Sequence, residues 1–504
     1  MKTRTILASV STLALFAAAP AMAQPNNQST VTQTGNNGGA AVTQSGSDAT
    51  STVTQGGNRN DATVTQSGSG ESIVTQDNGT GSSDDDNEAT VTQGGDSFSR
   101  VTQTNDDATA TVDQSGDEHS SVVSQSGDDD DADVDQSGTN NDSAITQSGN
   151  SNTAAVTQSA SDNTSTVTQS SGFNDAIVDQ SGSTNTSTVT QQGLGANSAN
   201  LLQSGNDNTS TITQGGLGNE AGEANVRGVI QSGNDNASTI VQNGGSQDAF
   251  VDQSGNNNES SIDQGGTVGA AHDASVTQSG DRNASTIVQR GFRADAIVNQ
   301  SGDRNSANVN QGRDINGIFD TGAGEDQLST INQSGERNTA TTIQRGEDQT
   351  AFIEQIGNRN ADNGATIDQG GNTGRDHFAS VSQVGNNNDA TVLQRGRNQD
   401  AIVSQGGDRN TALVDQGDGN GLNHNVSITQ DGDRNLADVS QTGTNQTATL
   451  DQAGDSNESF VIQSGADNTA EVSQFSNRNT SNVSQSGSGH NATVTQGSAP
   501  GGGL

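Results

Sequence analysis

The sequence predicts an all-β fold: a β-solenoid of about twenty two-strand coils, with about 22 residues per coil and cross-β-like stacking. Three observations support this fold class. Forty glutamines recur from Gln33 to Gln496, and most of them are 11 residues apart. The side chains before each glutamine alternate with a period of two. A glycine lies two residues beyond most of these glutamines, where a turn is required.

The residues that lead up to each glutamine have the pattern of a short β-strand. In one copy, Ala274, Val276 and Gln278 lie on one face, and Ser275 and Thr277 lie on the other. This period of two predicts a strand of about five residues with a small residue, a β-branched residue and a glutamine on its inner face. Two such strands and two turns make one coil.

The two turns of a coil differ in sequence. Every even-numbered glutamine from the sixteenth to the thirty-eighth is followed five residues later by asparagine, whereas the odd-numbered turns lack this regularity. The odd-numbered turns instead carry nearly all of the insertions, with the turn after Gln355 as the exception. The insertions follow Gln76, Gln214, Gln264, Gln311, Gln369 and Gln416. In the early even turns, the places that correspond to the asparagine are Ala49, Glu71, Phe98 and His119.

An inward amide needs a partner, because burying it without a hydrogen bond costs about 1 to 3 kcal/mol. Identical amides one coil apart can bond along the axis in a ladder, whereas a column of glutamates would repel. We therefore expect structural ladders of glutamine and asparagine. The ladder glutamines are Gln278, Gln289, Gln300, Gln311, Gln333, Gln344, Gln355, Gln383, Gln405, Gln430 and Gln452. The ladder asparagines are Asn208, Asn236, Asn258, Asn283, Asn305, Asn338, Asn360, Asn388, Asn410, Asn435, Asn457 and Asn479.

The chain ends do not share the repeat. Residues 1–23 contain basic Lys2 and Arg4, an apolar stretch and Ala21-Met22-Ala23, the pattern of a secretory signal peptide. We predict a short N-terminal segment at 24–30, the repeat solenoid at 31–496 and a glycine-rich C-terminal tail at 497–504. No later stretch has the ~20 apolar residues of a membrane span. Cysteine is absent, which excludes disulfides and thiol chemistry.

Composition and charge limit the classes of protein to which the chain can belong. Only 26% of the residues are hydrophobic and 2% aromatic, values that on their own favour a disordered acidic chain. The strict period favours a stacked fold, in which each coil covers its neighbours. The formal net charge is -41, so we expect no binding of nucleic acid through phosphate neutralisation. Acidic and basic residues adjoin in even turns such as Asp281-Arg282 and Asp303-Arg304, and they either offset repulsion at the rim or form solvated loops.

The stretch Gln300-Ser-Gly-Asp-Arg-Asn305-Ser-Ala307-Asn-Val-Asn-Gln311 resembles the curlin repeat of the curli major and minor fibre subunits. The resemblance covers nearly the whole chain after the signal peptide. It implies a secreted bacterial functional amyloid that is exported unfolded through a dedicated outer-membrane channel and nucleated by a partner subunit. Such a protein polymerises with itself into adhesive cell-surface fibres of the biofilm matrix. In that family the inward Gln and Asn carry assembly.

The sequence also departs from that family. It has no tyrosine, and it has about twenty coils where the best-known curlin subunits have about five repeats. Glycine and aspartate act as gatekeepers that slow fibrillation in the family, and both are abundant here. A stable monomeric rod or a slow fibre former therefore remains an alternative to a fast-assembling subunit.

Three other functions compete with the fibre subunit. Outward threonine pairs such as Thr188 and Thr190 resemble the flat arrays of ice-binding solenoids, although only three coils sustain them. Acidic turns offer oxygen ligands for calcium, but no nonapeptide calcium repeat is present. Catalysis is the weakest interpretation. The five histidines share no phase in the repeat, and we expect them to be exposed turn residues: His119, His272, His377, His424 and His490. We expect no catalytic residue, metal site or cofactor.

Overall fold

The computed structural model describes residues 26–77, 86–221, 228–312, 325–359 and 364–497. Several predicted features lie outside these residues. They are the signal peptide at 1–23, the tail beyond Gly497, Asn360 of the asparagine ladder, and most of the insertions after Gln76, Gln214 and Gln311.

The described residues form β-strands joined by tight turns, and they contain no helix. The chain divides into two compact units, residues 1–184 and 185–504. The first unit contains fourteen strands, which are β1 (Gln28–Asn36), β2 (Gly39–Gln44), β3 (Thr50–Asn58), β4 (Asp61–Gln66), β5 (Glu71–Asp77), β6 (Glu88–Gln93), β7 (Phe98–Gln103), β8 (Thr109–Asp117), β9 (Ser120–Gln125), β10 (Asp131–Thr139), β11 (Asp142–Gln147), β12 (Thr153–Gln158), β13 (Thr164–Gln169) and β14 (Asp175–Gln180).

The second unit contains the remaining strands, several of which are longer. They are β15 (Thr186–Gly195), β16 (Ser198–Gln203), β17 (Thr209–Leu217), β18 (Glu220–Ala221), β19 (Val229–Gln231), β20 (Ala237–Gly245), β21 (Asp248–Gln253), β22 (Glu259–Ala270), β23 (Asp273–Ser279), β24 (Ala284–Gln289), β25 (Phe292–Ser301), β26 (Ser306–Gln311), β27 (Glu325–Glu336), β28 (Thr339–Asn358), β29 (Ala365–Val384), β30 (Asp389–Gly406), β31 (Thr411–Asp431), β32 (Leu436–Thr444), β33 (Thr447–Ala453), β34 (Glu458–Ala466), β35 (Thr469–Gln474), β36 (Thr480–Ser488) and β37 (Asn491–Gln496).

Pairing within each unit is parallel, and it joins equivalent residues of successive coils. In β23 and β25, Val276 pairs with Val298 and Gln278 pairs with Gln300, a separation of 22 residues. The same register holds in the first unit, where Gln114 of β8 pairs with Gln136 of β10. The predicted fold class, an all-β solenoid with about 22 residues per coil, is confirmed.

The core lies between the two strands of each coil and is thin. Its members are the small, β-branched and glutamine side chains of each strand, which point inward because side chains alternate along a strand. In β23, Ala274, Val276 and Gln278 are all buried, and Ser275 and Thr277 on the other face are partly exposed. The largest fully buried side chains are mostly isoleucines. A small hydrophobic core per coil therefore depends on burial by the coils above and below it.

The corners require special backbone conformations. In the corner after Gln300, Arg304 has a φ of 58°, in the left-handed region. Gly302 has a φ of 98°, and a Cβ there would lie 2.2 Å from the carbonyl oxygen of Gly335 in the next coil. Only glycine permits this close approach between stacked turns.

The structure corrects the assignment of two early corners. Strand β5 begins at Glu71 and β7 begins at Phe98, so these residues do not take the place of the asparagine. That place belongs to Gly70 and Ser97, whose carbonyls accept the main-chain N–H of the first strand residue of the preceding coil. These two turns are one residue shorter than the later even turns, which shifts a count made forward from the glutamine.

Four strands of the second unit are much longer than the five residues that the sequence predicts. Strands β28 to β31 contain 18 to 21 residues each and pass through an odd corner without a break. The reason is that the corners also pair from coil to coil, as Arg397 pairs with Leu422 and Gln399 pairs with His424. Strand-like bonding therefore continues around that side of the coil.

Candidate functional site

The inward glutamines form hydrogen-bonded columns within each unit. Gln278 Nε2 donates to Gln300 Oε1 at 2.8 Å, and Gln300 Nε2 donates to Gln333 Oε1 at 2.8 Å. In the other strand of each coil, Gln289 donates in the same way to Gln311 at 3.0 Å. Each of these bonds runs from one coil to the next one in the sequence, so the columns have a direction.

The second proton of each amide is also used. Gln300 Nε2 donates to the carbonyl oxygen of Ala284 at 3.1 Å, and Gln311 Nε2 donates to that of Asp295 at 2.9 Å. These carbonyls lie 16 residues earlier, on the facing strand of the same coil. These interior glutamines therefore use both donor hydrogens and the acceptor, which removes the penalty for burying the amide.

The structure buries every glutamine assigned to the ladder. The exposure of these side chains is at most 2% for Gln278, Gln289, Gln300, Gln311, Gln333, Gln344, Gln355, Gln383, Gln405, Gln430 and Gln452. The column thus replaces part of a hydrophobic core with a satisfied polar one.

The asparagines of the even corners bond mainly to the main chain of adjacent coils. Asn283 Oδ1 accepts the main-chain N–H of Asn305 at 2.9 Å, and Asn305 Nδ2 donates to the carbonyl oxygen of Gly335 at 3.0 Å. A bond from side chain to side chain occurs at the last of these corners, from Asn479 Nδ2 to Asn457 Oδ1 at 3.0 Å. The buried members are Asn208, Asn236, Asn258, Asn283, Asn305, Asn338, Asn388, Asn410, Asn435 and Asn457. These residues cap the turn of the following coil.

The prediction that the histidines are exposed and share no position is wrong. His119, His272, His377 and His424 are at most 2% exposed, and His490 is the one of the five that is solvent-accessible. All five occupy the inward corner position that asparagine occupies elsewhere. A neutral imidazole suits that position, because it offers one acceptor and one donor nitrogen.

The hydrogen bonds show that these histidines accept a main-chain N–H from the next coil, as asparagine does at other corners. His272 Nδ1 accepts the main-chain N–H of Ala294 at 3.2 Å, and His119 Nδ1 accepts that of Asn141 at 3.2 Å. In the last described coil, His490 is exposed, and its Nε2 lies 3.0 Å from the carbonyl oxygen of Ser486. An Nδ1 that accepts an N–H must be unprotonated, so the fold requires the neutral ring.

Burial reinforces that requirement. Desolvation, together with the charge of Arg290, lowers the pKa of His272 to about 4. Desolvation also lowers the pKa of His377 to about 4, although the carboxylate of Asp376 acts in the opposite direction. These two corners therefore remain neutral well below the pH at which a free histidine gains its proton.

A count made forward from the glutamine finds His119 and His490 at the asparagine place but misses the other three histidines. Insertions in the odd turns move His272, His377 and His424 to eight residues after the preceding glutamine. Each nevertheless lies two residues before the first inward residue of the next strand, as His272 does before Ala274. A count made backward from the strand identifies the odd-corner column, which also contains Gln247, Gln327, Gln349, Gln399 and Gln446.

Within the described ranges, no group of three His, Asp or Glu side chains is arranged to hold a metal ion. In the same part of the chain, no helix is long and apolar enough to cross a membrane.

Comparison with protein families gives ten matches to one description, the curlin associated repeat. The matched segments are residues 106–138, 138–170, 160–193, 233–266, 248–280, 269–302, 374–406, 396–432, 432–465 and 465–497. Together they cover more than half of the chain and fall in both units. No curated protein matches the chain.

Proposed function

Because the chain belongs to the family of curlin-repeat proteins, we propose that it is a secreted structural subunit that self-assembles into curli-like amyloid fibres. The fibres would belong to the cell surface and the biofilm matrix, where they would serve adhesion and aggregation. Proteins of this family are extracellular components of curli, and both the family and the solenoid fold are structural rather than catalytic.

The observation that carries the proposal is the polarity of the glutamine columns at their ends. In the first described coil, Oε1 of Gln33 and of Gln44 receives no hydrogen bond from the described residues. In the last described coil, Gln485 and Gln496 have no later glutamine to which they can donate. One end of the columns offers acceptors and the other end offers donors, so a second copy can extend both columns.

The strands at the two ends also match in length and pattern. Strand β36 has the sequence TSNVSQSGS and β1 has QSTVTQTGN, and each is nine residues long. Strands β37 (NATVTQ) and β2 (GAAVTQ) are six residues each. Both pairs align with valine on valine and glutamine on glutamine, the register found between coils inside each unit. Among the strands that the structure describes, none covers the outer edge of β1 or β2.

Export and nucleation complete the proposal. Residues 1–23 would direct secretion, after which the chain would pass unfolded through a curli-type outer-membrane channel. A curli-type nucleator subunit would offer the first template at the cell surface. The large negative charge opposes association of free chains, so a surface template would favour assembly there over assembly in transit.

Fibre formation by the purified chain without residues 1–23 tests the proposal. We expect thioflavin-positive fibrils that diffract at the ~4.7–4.8 Å spacing of stacked strands. The end-to-end contact is tested by Gln496→Glu, which removes the amide donor at the last end of a column. This change should suppress elongation from preformed seeds, because a carboxylate oxygen would then face the acceptor Oε1 of Gln44 in the next copy.

A matched control is Thr495→Glu, which adds the same charge on the exposed outer face of the same strand. We expect Thr495→Glu to elongate at a rate close to that of the wild type. Equal suppression by both variants would show that net charge, and not the column, governs assembly. Failure of the wild-type chain to form cross-β fibrils at high concentration would favour a monomeric rod.

A further inference from the structure

Seven arginines form a column on the outer side of the even corners of the second unit. They occupy the same place in their turns, four residues after the inward glutamine, and all are exposed. The main-chain N–H of each bonds to the turn of the preceding coil, as Arg304 does to the carbonyl of Asp281 at 2.8 Å. The members are Arg282, Arg304, Arg337, Arg359, Arg409, Arg434 and Arg478, of which the first four lie in consecutive coils.

The backbone at this place does not favour arginine. The φ values of these arginines lie between 57° and 62°, in the left-handed region that suits asparagine, aspartate and glycine. Other coils of the same column have residues of that kind, such as Asn257 and Asn387. The repeated presence of arginine therefore serves something other than the turn.

Arginines that directly follow the glutamine at odd corners differ from the column in their pairing. Arg290 bonds to Asp263, and Arg345 Nη1 lies 2.7 Å from Asp368 Oδ1. Among the described residues, the one ion pair of the column joins Arg337 to Glu336 at 3.7 Å. Acidic side chains therefore pair with these odd-corner arginines, whereas the other six arginines of the column have no ion pair among the described residues and are open to solvent.

The acidic residues beside the column are engaged with the main chain. Asp303 Oδ1 accepts the main-chain N–H of Asp281 at 3.0 Å, and Asp433 Oδ1 accepts that of Asp408 at 2.9 Å. These short side chains are therefore held along the solenoid axis, next to the turn. The arginine side chains of the column are longer and exposed, whereas Asp281, Asp303 and Asp433 are half-buried.

We propose that this arginine column binds a linear acidic polysaccharide that carries a carboxylate on each sugar unit. Adjacent coils place the main chains of these arginines ~4.8 Å apart, the spacing of neighbouring strands, so their side chains start from points with that repeat. An extended polyuronate repeats its carboxylates at a comparable length, so successive charges can pair with successive coils. Guanidinium pairs well with carboxylate because two parallel N–H groups can donate at once. The charges along one nucleic-acid strand are ~3.4 Å apart, so their spacing does not match the ~4.8 Å spacing of the coils.

The experiment measures binding of the freshly purified, unassembled chain to immobilised polygalacturonate, with neutral dextran as the reference surface. A variant in which Arg282, Arg304, Arg337 and Arg359 are each replaced by asparagine should bind at least about tenfold more weakly, since exposed pairs contribute roughly two- to fivefold each. Asparagine suits the left-handed backbone, so this variant keeps its fold, which circular dichroism checks.

A gain-of-function pair provides the matched control. Asn387→Arg fills the gap between Arg359 and Arg409 and should tighten binding severalfold. Asn398→Arg adds the same charge at an exposed left-handed position on the opposite corner, and it should leave binding unchanged. Equal effects of the two changes, retention of full binding by the fourfold variant, or equally tight arginine-dependent binding of duplex DNA would each overturn the proposal. None of these outcomes depends on fibre formation.

Discussion

The sharpest test of the amide columns is Gln300→Glu, which replaces one amide group in the middle of a column. Gln300 is 1% exposed, and its side chain takes part in three hydrogen bonds. Its Oε1 accepts from Gln278, and its Nε2 donates to Gln333 Oε1 and to the carbonyl of Ala284. A carboxylate keeps the first bond and loses both donated bonds.

The expected cost follows from those two losses. The carboxylate places an oxygen against the Oε1 of Gln333 and against a carbonyl oxygen, and neither receives a hydrogen bond in return. A buried acceptor without its donor costs about 1–3 kcal/mol, so the local stability should fall by about 2–6 kcal/mol. The charge has no counter-ion among the amides of the column, which places the result towards the upper part of that range.

The cost should depend on pH in a definite direction. Burial raises the pKa of the new carboxyl above the ~4.3 of an unfolded glutamate. Between these two pKa values the folded state binds more protons than the unfolded state, so stability falls as pH rises. The variant should therefore be least destabilised below about pH 4, where the neutral carboxyl can donate one hydrogen bond.

Hydrogen exchange of the coils around Gln300 measures this local stability, with the wild type at the same pH as reference. Ser301→Glu is the control, because it adds the same charge to an exposed neighbour and should change stability by no more than about 0.5 kcal/mol. Equal protection in the two variants, or a loss for Gln300→Glu that is the same below pH ~4 and at pH ~7, would refute the reasoning.

Three further changes test the corners, each by urea unfolding of the variant and the wild type. His377 is neutral when folded, with a pKa of about 4, so wild-type stability should decline as pH falls from about 6.5 towards 4, and His377→Gln should lose that part of the decline. Ala49→Asn supplies an acceptor for the corner N–H of the next coil and should stabilise the first unit by about 1 kcal/mol; an unchanged midpoint would contradict this. Gly302→Ala places a Cβ 2.2 Å from a carbonyl oxygen and should cost about 1–3 kcal/mol, more than Gly218→Ala, where no atom lies within 4 Å.

The fold was predictable because the period of a strand and the period of a coil both appear in the sequence and indicate the same stacked structure. The alternation that puts Val276 and Gln278 on one face has the period of a strand, and the recurrence of the whole unit has the period of a coil. A one-residue slip would carry every inward side chain to the outer face, so the register between coils has one satisfactory solution. The confirmed solenoid follows from that constraint, although only 26% of the residues are hydrophobic.

The corners were less predictable because their chemistry is not tied to one residue type. Asn305, His272 and Gln446 all occupy inward corners, and all three have a polar atom that accepts from or donates to the main chain. Insertions change the distance from the preceding glutamine, which disguises this equivalence. The direction of the glutamine bonds was also beyond the sequence, since an amide ladder can run either way from the same residues.

The two corners of a coil in the second unit differ in how well their inward side chains are satisfied by hydrogen bonds. At the even corner, asparagine is short enough to end beside the main-chain N–H of the next coil, as Asn283 does. At the odd corner, the longer side chains of Gln247 and Gln399 have no hydrogen-bond partner for either amide atom among the described residues. Leaving a buried amide unpaired costs stability, so these corners hold successive coils together less firmly. The insertions after Gln264, Gln369 and Gln416 also lie on this odd side of the coil, at the corners where His272, His377 and His424 take the inward position.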